Sequence, residues 1–410
     1  MKRKLPILLI LGFHLIFLSF SLSAQDSTAH KPNIKFGAFL QVQGVFTQDR
    51  PSSPALDANR RWGTQIQIWR ARLLAGAQIT KKTSFFMQTE IASPIGLIQD
   101  SAKQIQKPNL IILDAQIEHQ FSKNFFMYAG MQLTGVNRQG IQSPVSLMGL
   151  EFGWYQYPYN LFQNQALQNN FGRDIGLSVR AYTLSERLEI RGGLFRGRAT
   201  NSYEAPRANL RLNYNFLDKE KEHYYSGTNL GTKKILAWGI GADWQGEYLN
   251  LATDIFADIP NENGAFTLHL GYMYLSGGSV TASRSYTELI PNQNILFGEL
   301  GYYFKKSKLQ PYLKYEAQNL DISQKQYAVN LNRLADVRFS PQGSSQDFNN
   351  FNTLFSESRF GAGLNYYVSE FNFHLKLQYE HIIYGRFKTL TQTEKQSGGE
   401  VKLQITCFVF

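Results

Sequence analysis

The chain has one cysteine in 410 residues, Cys407, so no internal disulfide can staple it. Its seven histidines are scattered, and no His/Cys cluster has metal-ligand spacing. No cofactor or metal is therefore expected. The run Gly277-Gly278-Ser279 lacks the Lys and Ser/Thr of a phosphate-binding loop and reads as a turn. No Gly-x-Ser-x-Gly element accompanies a histidine, so an enzyme is not expected either. His381 is the one histidine placed for hydrolysis on an outer strand face, and that reading needs a serine beside it. Beyond residue 24, no stretch approaches the ~20 apolar residues that a membrane helix needs. The chain is thus either a soluble exported protein or a barrel that crosses with strands.

Residues 1–24 read as a signal peptide. Lys2, Arg3 and Lys4 form the charged region and Leu8 to Phe20 the apolar region, with cleavage after Ala24. Leu22 at the −3 position is larger than usual, and the competing reading is an uncleaved anchor. No cysteine follows the cut, which argues against a lipid anchor. Residues 25–410 read as one domain. The net charge is +11, of which the signal carries three, leaving +8. An exported basic chain points to anionic solutes rather than nucleic acid.

The remaining sequence alternates. Val401, Leu403, Ile405, Cys407 and Val409 share one side of the last stretch; Lys402, Gln404 and Thr406 share the other. A period of two means a strand with one apolar and one polar face. Ile34 to Phe46 repeats the pattern on even positions. Trp69, Ala71, Leu73, Ala75, Ala77 and Ile79 are expected to face lipid, with Arg70 and Arg72 inward. Ile111, Leu113, Ala115 and Ile117 are expected outward, opposite Asp114, Gln116 and Glu118. Ile175–Ala181, Leu188–Leu194, Leu210–Tyr214 and Phe373–Tyr379 agree.

About sixteen such strands (16–18) are expected. Short links (81–84, 122–124, 184–187, 305–308, 368–370) alternate with long ones (48–64, 93–109, 134–172, 276–294, 319–357, 385–398). Short turns on one side and long loops on the other, with 14% aromatics for two interface girdles, predict a transmembrane antiparallel β-barrel with periplasmic turns and outer loops. Two links break the rhythm. The 217–234 link is long where a short turn belongs, and the one at Gln245–Glu247 is short. The 134–172 loop either folds into the barrel or lies over its mouth.

Several stretches resemble the phosphate-selective porin family. They are Trp69–Gly76 (WRARLLAG), Leu113–Glu118 (LDAQIE), Gly172–Leu177 (GRDIGL) and Gly193–Gly197 (GLFRG). Ala252–Pro260 (ATDIFADIP), Phe297–Tyr302 (FGELGY) and Leu309–Glu316 (LQPYLKYE) are similar to its Bacteroidetes-type branch. Gly135 and Gln139 stand where that family often has a proline and an acid. The resemblance implies a trimeric outer-membrane porin of a Gram-negative bacterium, embedded in outer-membrane lipid and passing small hydrophilic solutes, anions such as phosphate among them. It also implies a terminal aromatic, Phe410, that the barrel-assembly machinery recognises. Phe408 and Phe410 fall out of phase with the aliphatic face of their strand.

Alternation puts Arg70, Arg72, Arg180, Arg191, Arg211, Lys314, Arg359, Lys376 and Lys402 inside, against eight acids from Glu90 to Glu380. Mixed charge of this kind reads first as cross-strand ion pairs, Lys314–Glu316 and Lys376–Glu380 among them. The pore-lining candidates are Arg70, Arg72, Arg180, Arg191, Arg211 and Lys376. Arg70 and Arg72 lead, because no acid on their strand offsets them. The competing function is a non-conducting surface barrel whose long loops 319–357 and 385–398 do the work.

Overall fold

In the computed structural model the described residues are 33–48, 62–91, 95–96, 110–153, 172–197, 205–246, 248–276, 292–321, 356–389 and 392–410. The signal segment, the turn expected at Gly277 and most of the 319–357 loop lie outside them. The chain runs through β1 (Asn33–Gln48), β2 (Trp62–Gln78), β3 (Thr83–Ile91), β4 (Ile95–Gly96), β5 (Leu110–Ser122) and β6 (Phe125–Leu133). It continues with β7 (Arg173–Thr183), β8 (Leu188–Phe195), β9 (Arg207–Asn215), β10 (Ile235–Gln245), β11 (Tyr248–Pro260) and β12 (Gly264–Ser276). The last are β13 (Asn292–Phe304), β14 (Leu309–Asp321), β15 (Glu357–Ser369), β16 (Phe373–Thr389) and β17 (Gln392–Val409).

All neighbours pair antiparallel, and β1 pairs with both β2 and β17, which closes the sheet. The two-residue β4 continues the line of β3 along β2, so the wall has sixteen staves. Closure leaves no strand edge to be satisfied by water, which is what a spanning sheet requires. The wall is a transmembrane β-barrel. Its outer surface carries Phe36, Leu73 and Val409 at 76%, 63% and 68% exposure, with Trp238, Leu313 and Phe360 beside them on other strands. So large an exposed apolar belt is stable only against lipid. Cys407 lies on this outer side.

Three residues expected outside are not there: Trp69, Leu113 and Ile111, the last standing between outward Leu110 and Ile112 and opposite buried Glu90. The register of β1 against β2 slips between Gln41 and Val42, making Trp69 the extra residue of a bulge. The β3–β5 ladder slips likewise, and Leu113 becomes a bulged residue only 1% exposed. A bulge shifts alternation by one, so the two ends of one strand present opposite parities outward. The expected loop at 385–398 is instead strand: β16 and β17 stay paired up to Thr389 and Gln392. Gly398 and Gly399 therefore sit within β17 rather than opening it.

The lumen is crossed twice. The first part of the β6–β7 connection, 134–153, turns inward, and Leu147, Met148 and Leu150 are fully buried. It is held by the far wall. Lys376 Nζ donates to the Leu147 and Gly149 carbonyls at 2.5 and 2.9 Å. Asn365 donates to the Met148 carbonyl at 2.7 Å, and Tyr312 Oη accepts from the Leu150 amide at 3.0 Å. Gly241 makes room for it, since a Cβ there would meet the Val136 carbonyl oxygen at 2.1 Å.

The second crossing is the β9–β10 link, the long 217–234 segment. It enters from the turn end and bonds to the first. Tyr225 N donates to Ile141 O at 3.1 Å, and Ser143 N to Tyr225 O at 3.0 Å. Gly227 and Thr228 both donate to Ser146 O at 3.1 Å. Arg138 Nη1 and Nη2 grip Glu220 at 2.8 and 2.6 Å. The anomalous length of this link is thus an inward excursion, not a misplaced strand. Backbone far from water needs partners, and each crossing supplies them to the other.

Candidate functional site

Beside the two crossings runs a cavity of about 500 Å³. It lies against β1–β3, β7 and β14–β17 on one side and the 142–153 segment on the other. Lys402 and Phe410 both line it. Eight residues of strand separate them, so it extends ~26 Å along β17. It is therefore elongated along the wall rather than a closed bubble.

Six cations border it: Arg70, Arg72, Arg173, Lys314, Arg359 and Lys402. Only three acids do: Glu151, Glu316 and Glu380. Every cation has an acidic partner. Arg70 bonds Glu151 at 2.7 Å, Arg72 bonds Glu90 at 2.6 Å and Arg173 bonds Asp114 at 3.3 Å. Lys314 meets Glu316 at 2.7 Å, and Arg359 meets Glu357 at 2.5 Å and Glu380 at 3.5 Å. Lys402 pairs with Glu400. Four of the partners, Glu90, Asp114, Glu357 and Glu400, are not part of the cavity wall. The cations thus front the cavity while much of the neutralising charge sits behind them.

The Lys314–Glu316 pair is as expected. Lys376 instead holds the inward loop, and Glu380 turns to Arg359. Lys376 is fully buried and away from the cavity wall. Arg180, Arg191 and Arg211 stand directly opposite one another across β7, β8 and β9. Glu189 takes Arg180 and, at 2.8 Å, Arg191, while Asp254 takes Arg211 through two bonds of 2.7 Å. Tyr225 covers them, its ring 4.7 Å from Arg191 and 5.7 Å from Arg211. They border a separate space of about 40 Å³. Arg70 and Arg72 alone among the six candidates reach the main cavity.

Sequence reading missed Glu151 and Phe152, which the inward loop delivers, and Arg173, which alternation puts on the wrong side. It missed Trp69 as well, which the bulge turns to the cavity. Phe408 and Phe410, out of phase with the outer face, line the turn end of the cavity.

His269 and His374 are buried inside. On the outer face, His381 has Phe360 and Gly399 directly opposite; Ser358 and Ser397 stand opposite Ile383, two residues along. No serine hydroxyl bonds His381 among the described residues. Among those residues, too, no group of three His, Cys, Asp or Glu could hold a metal ion.

No family model matches the chain, and no curated protein matches it in sequence. Its fold is similar to solved barrels. Against OprB of Pseudomonas putida the TM-score is 0.57 at 9% identity, covering 92% of this chain and 94% of that one. Against OmpF of Salmonella typhi, solved with daunomycin, it is 0.53 at 12% identity, covering 92% and 97%. Against the outer membrane channel DcaP of Acinetobacter baumannii it is 0.50 at 12%, again 92% and 97%. At such identities the likeness is one of fold alone: an outer-membrane β-barrel.

Proposed function

We propose that the chain is an outer-membrane porin that lets small hydrophilic solutes diffuse passively, with a mild preference for anions. The observation that carries this is the elongated cavity beside the inward loop, fronted by six cations and three acids. A constriction that replaces an ion's hydration with guanidinium and ammonium groups favours anions. The resemblance of WRARLLAG and its companion motifs to phosphate-selective porins makes phosphate one candidate solute. Homotrimerisation, insertion by the barrel-assembly machinery and a turn end in the periplasm belong to the same proposal.

One observation favours a second reading. Two segments cross the lumen and bond to each other, as a non-conducting barrel would require. Planar-bilayer conductance across a potassium chloride gradient separates the two. Discrete openings with an anion-favouring reversal potential support the porin. A folded, inserted but silent protein would replace it with a surface-binding barrel.

A further inference from the structure

We propose that the cavity binds organic anions with an apolar body, aromatic carboxylates first, in preference to inorganic phosphate. The proposal takes this cavity to be the solute path suggested above. Its turn-end half is apolar, a feature unsuited to small inorganic ions. Phe39, Leu74, Phe86, Val145, Phe408 and Phe410 line it. Phe39 and Phe408 meet edge to face with centroids 6.2 Å apart, and Phe86 and Phe410 at 6.1 Å. Aromatic edges and faces arranged so accept a further ring.

Arg72 stands where this patch gives way to charge. It is directly opposite Phe39 in the β1–β2 register, and Phe39 is directly opposite Phe408 in β17. The three side chains form one row across the inner wall. The Arg72 guanidinium lies 5.5 Å from the Phe39 ring centroid and the residue is 6% exposed. Its Nε donates to Glu90 at 2.6 Å. Its two terminal nitrogens make no hydrogen bond to any described residue, and the side chain lines the cavity. A buried guanidinium with its fork unfilled is matched by a planar carboxylate, which takes two parallel N–H bonds.

The two features together define the ligand. A carboxylate on the Arg72 fork sets its apolar body against Phe39, Phe86 and Phe408. Phosphate would gain the same cation, yet its remaining oxygens would face phenylalanine and lose water with nothing in return. Acetate would bind the fork but leave the aromatic patch empty.

Equilibrium dialysis of the detergent-solubilised full-length protein tests this without any current being measured. Phenylacetate should bind at least tenfold more tightly than either acetate or inorganic phosphate. Phosphate binding as tightly as phenylacetate would overturn the proposal, and so would equal binding of phenylacetate and acetate. In variants that keep the heat-dependent gel mobility of a folded barrel, Arg72→Gln should weaken phenylacetate at least tenfold. Phe86→Ala should bring phenylacetate close to acetate. A protein that binds phenylacetate but never conducts would sink the channel reading and leave the site standing.

Discussion

Arg70 grips Glu151 through two parallel hydrogen bonds of 2.7 Å, one from each terminal nitrogen. The first residue is in the wall and the second is in the inward loop, so this pair fastens the loop beside the cavity. Gln43 adds a weaker bond to the same carboxylate at 3.3 Å. Breaking such a pair from one side leaves a charge with little water around it, at a cost of about 3–5 kcal/mol. Glu151→Gln should therefore loosen residues 147–153. Hydrogen exchange there should speed up, and single-channel current should grow larger and noisier. Unchanged exchange would show that the bonds to the loop backbone from Lys314, Lys376, Asn365 and Tyr312 hold it without this pair.

The same carboxyl sets a pH threshold. Burial is the largest single influence and pushes its pKa up, but the charge and hydrogen bonds of Arg70, with the charges of Lys402 and Lys314, together outweigh it and the group ends below its ordinary 4.5. A depressed folded-state pKa means the pair contributes fully above the unfolded value and is lost as pH falls through the folded one. Loop protection should thus be flat from neutral pH down to the ordinary 4.5 and fall only below it. Loosening near pH 6 would assign the loop's hold to some other group.

Arg138 and Glu220 join the two crossings, and their side chains are 0% and 3% exposed. The Arg138 guanidinium also sits 3.6 Å from the Phe256 ring centroid. Arg138→Ala strands the Glu220 charge and should destabilise the crossings by about 3–5 kcal/mol. Arg138→Met with Glu220→Leu should recover most of that loss, because an apolar pair needs no partner charge. Urea unfolding of Arg138→Met, Glu220→Leu and the double variant closes the cycle. An additive double variant would deny that the pair is coupled.

The barrel itself was legible because alternation repeats on every stave and its period differs from that of any helix. Its exceptions were not. Trp69 and Leu113 are apolar like the lipid-facing residues around them, so a bulge that turns them in leaves no mark in the pattern. The 217–234 link betrayed itself by length alone. Its inward course depends on Tyr225 meeting Ile141 and Ser143, residues about eighty positions away. Arg70 and Arg72 could be put on the inner face from their neighbours, but Glu151, which decides what Arg70 does, lies in a loop with no period to read.

Phe410 offers a last test, because two causes can be separated. Its ring packs edge-on against Phe86 at 6.1 Å and lies over Gly37 and Gly76. A Cβ on Gly37 would come within 2.4 Å of the Val409 carbonyl oxygen and 2.5 Å of the Phe410 ring. Gly37→Ala therefore disturbs the seat of the terminal ring while keeping the residue. Deleting Phe410 removes both the packing and the terminal aromatic that assembly is proposed to read. If recognition is the main role, deletion should cut the membrane-inserted, heat-modifiable fraction several-fold in cells, and Gly37→Ala should leave insertion close to normal while lowering thermal stability. If both variants insert poorly, and both also refold poorly in detergent, the ring is needed for closure of β1 on β17 and the signal lies elsewhere in the last strand.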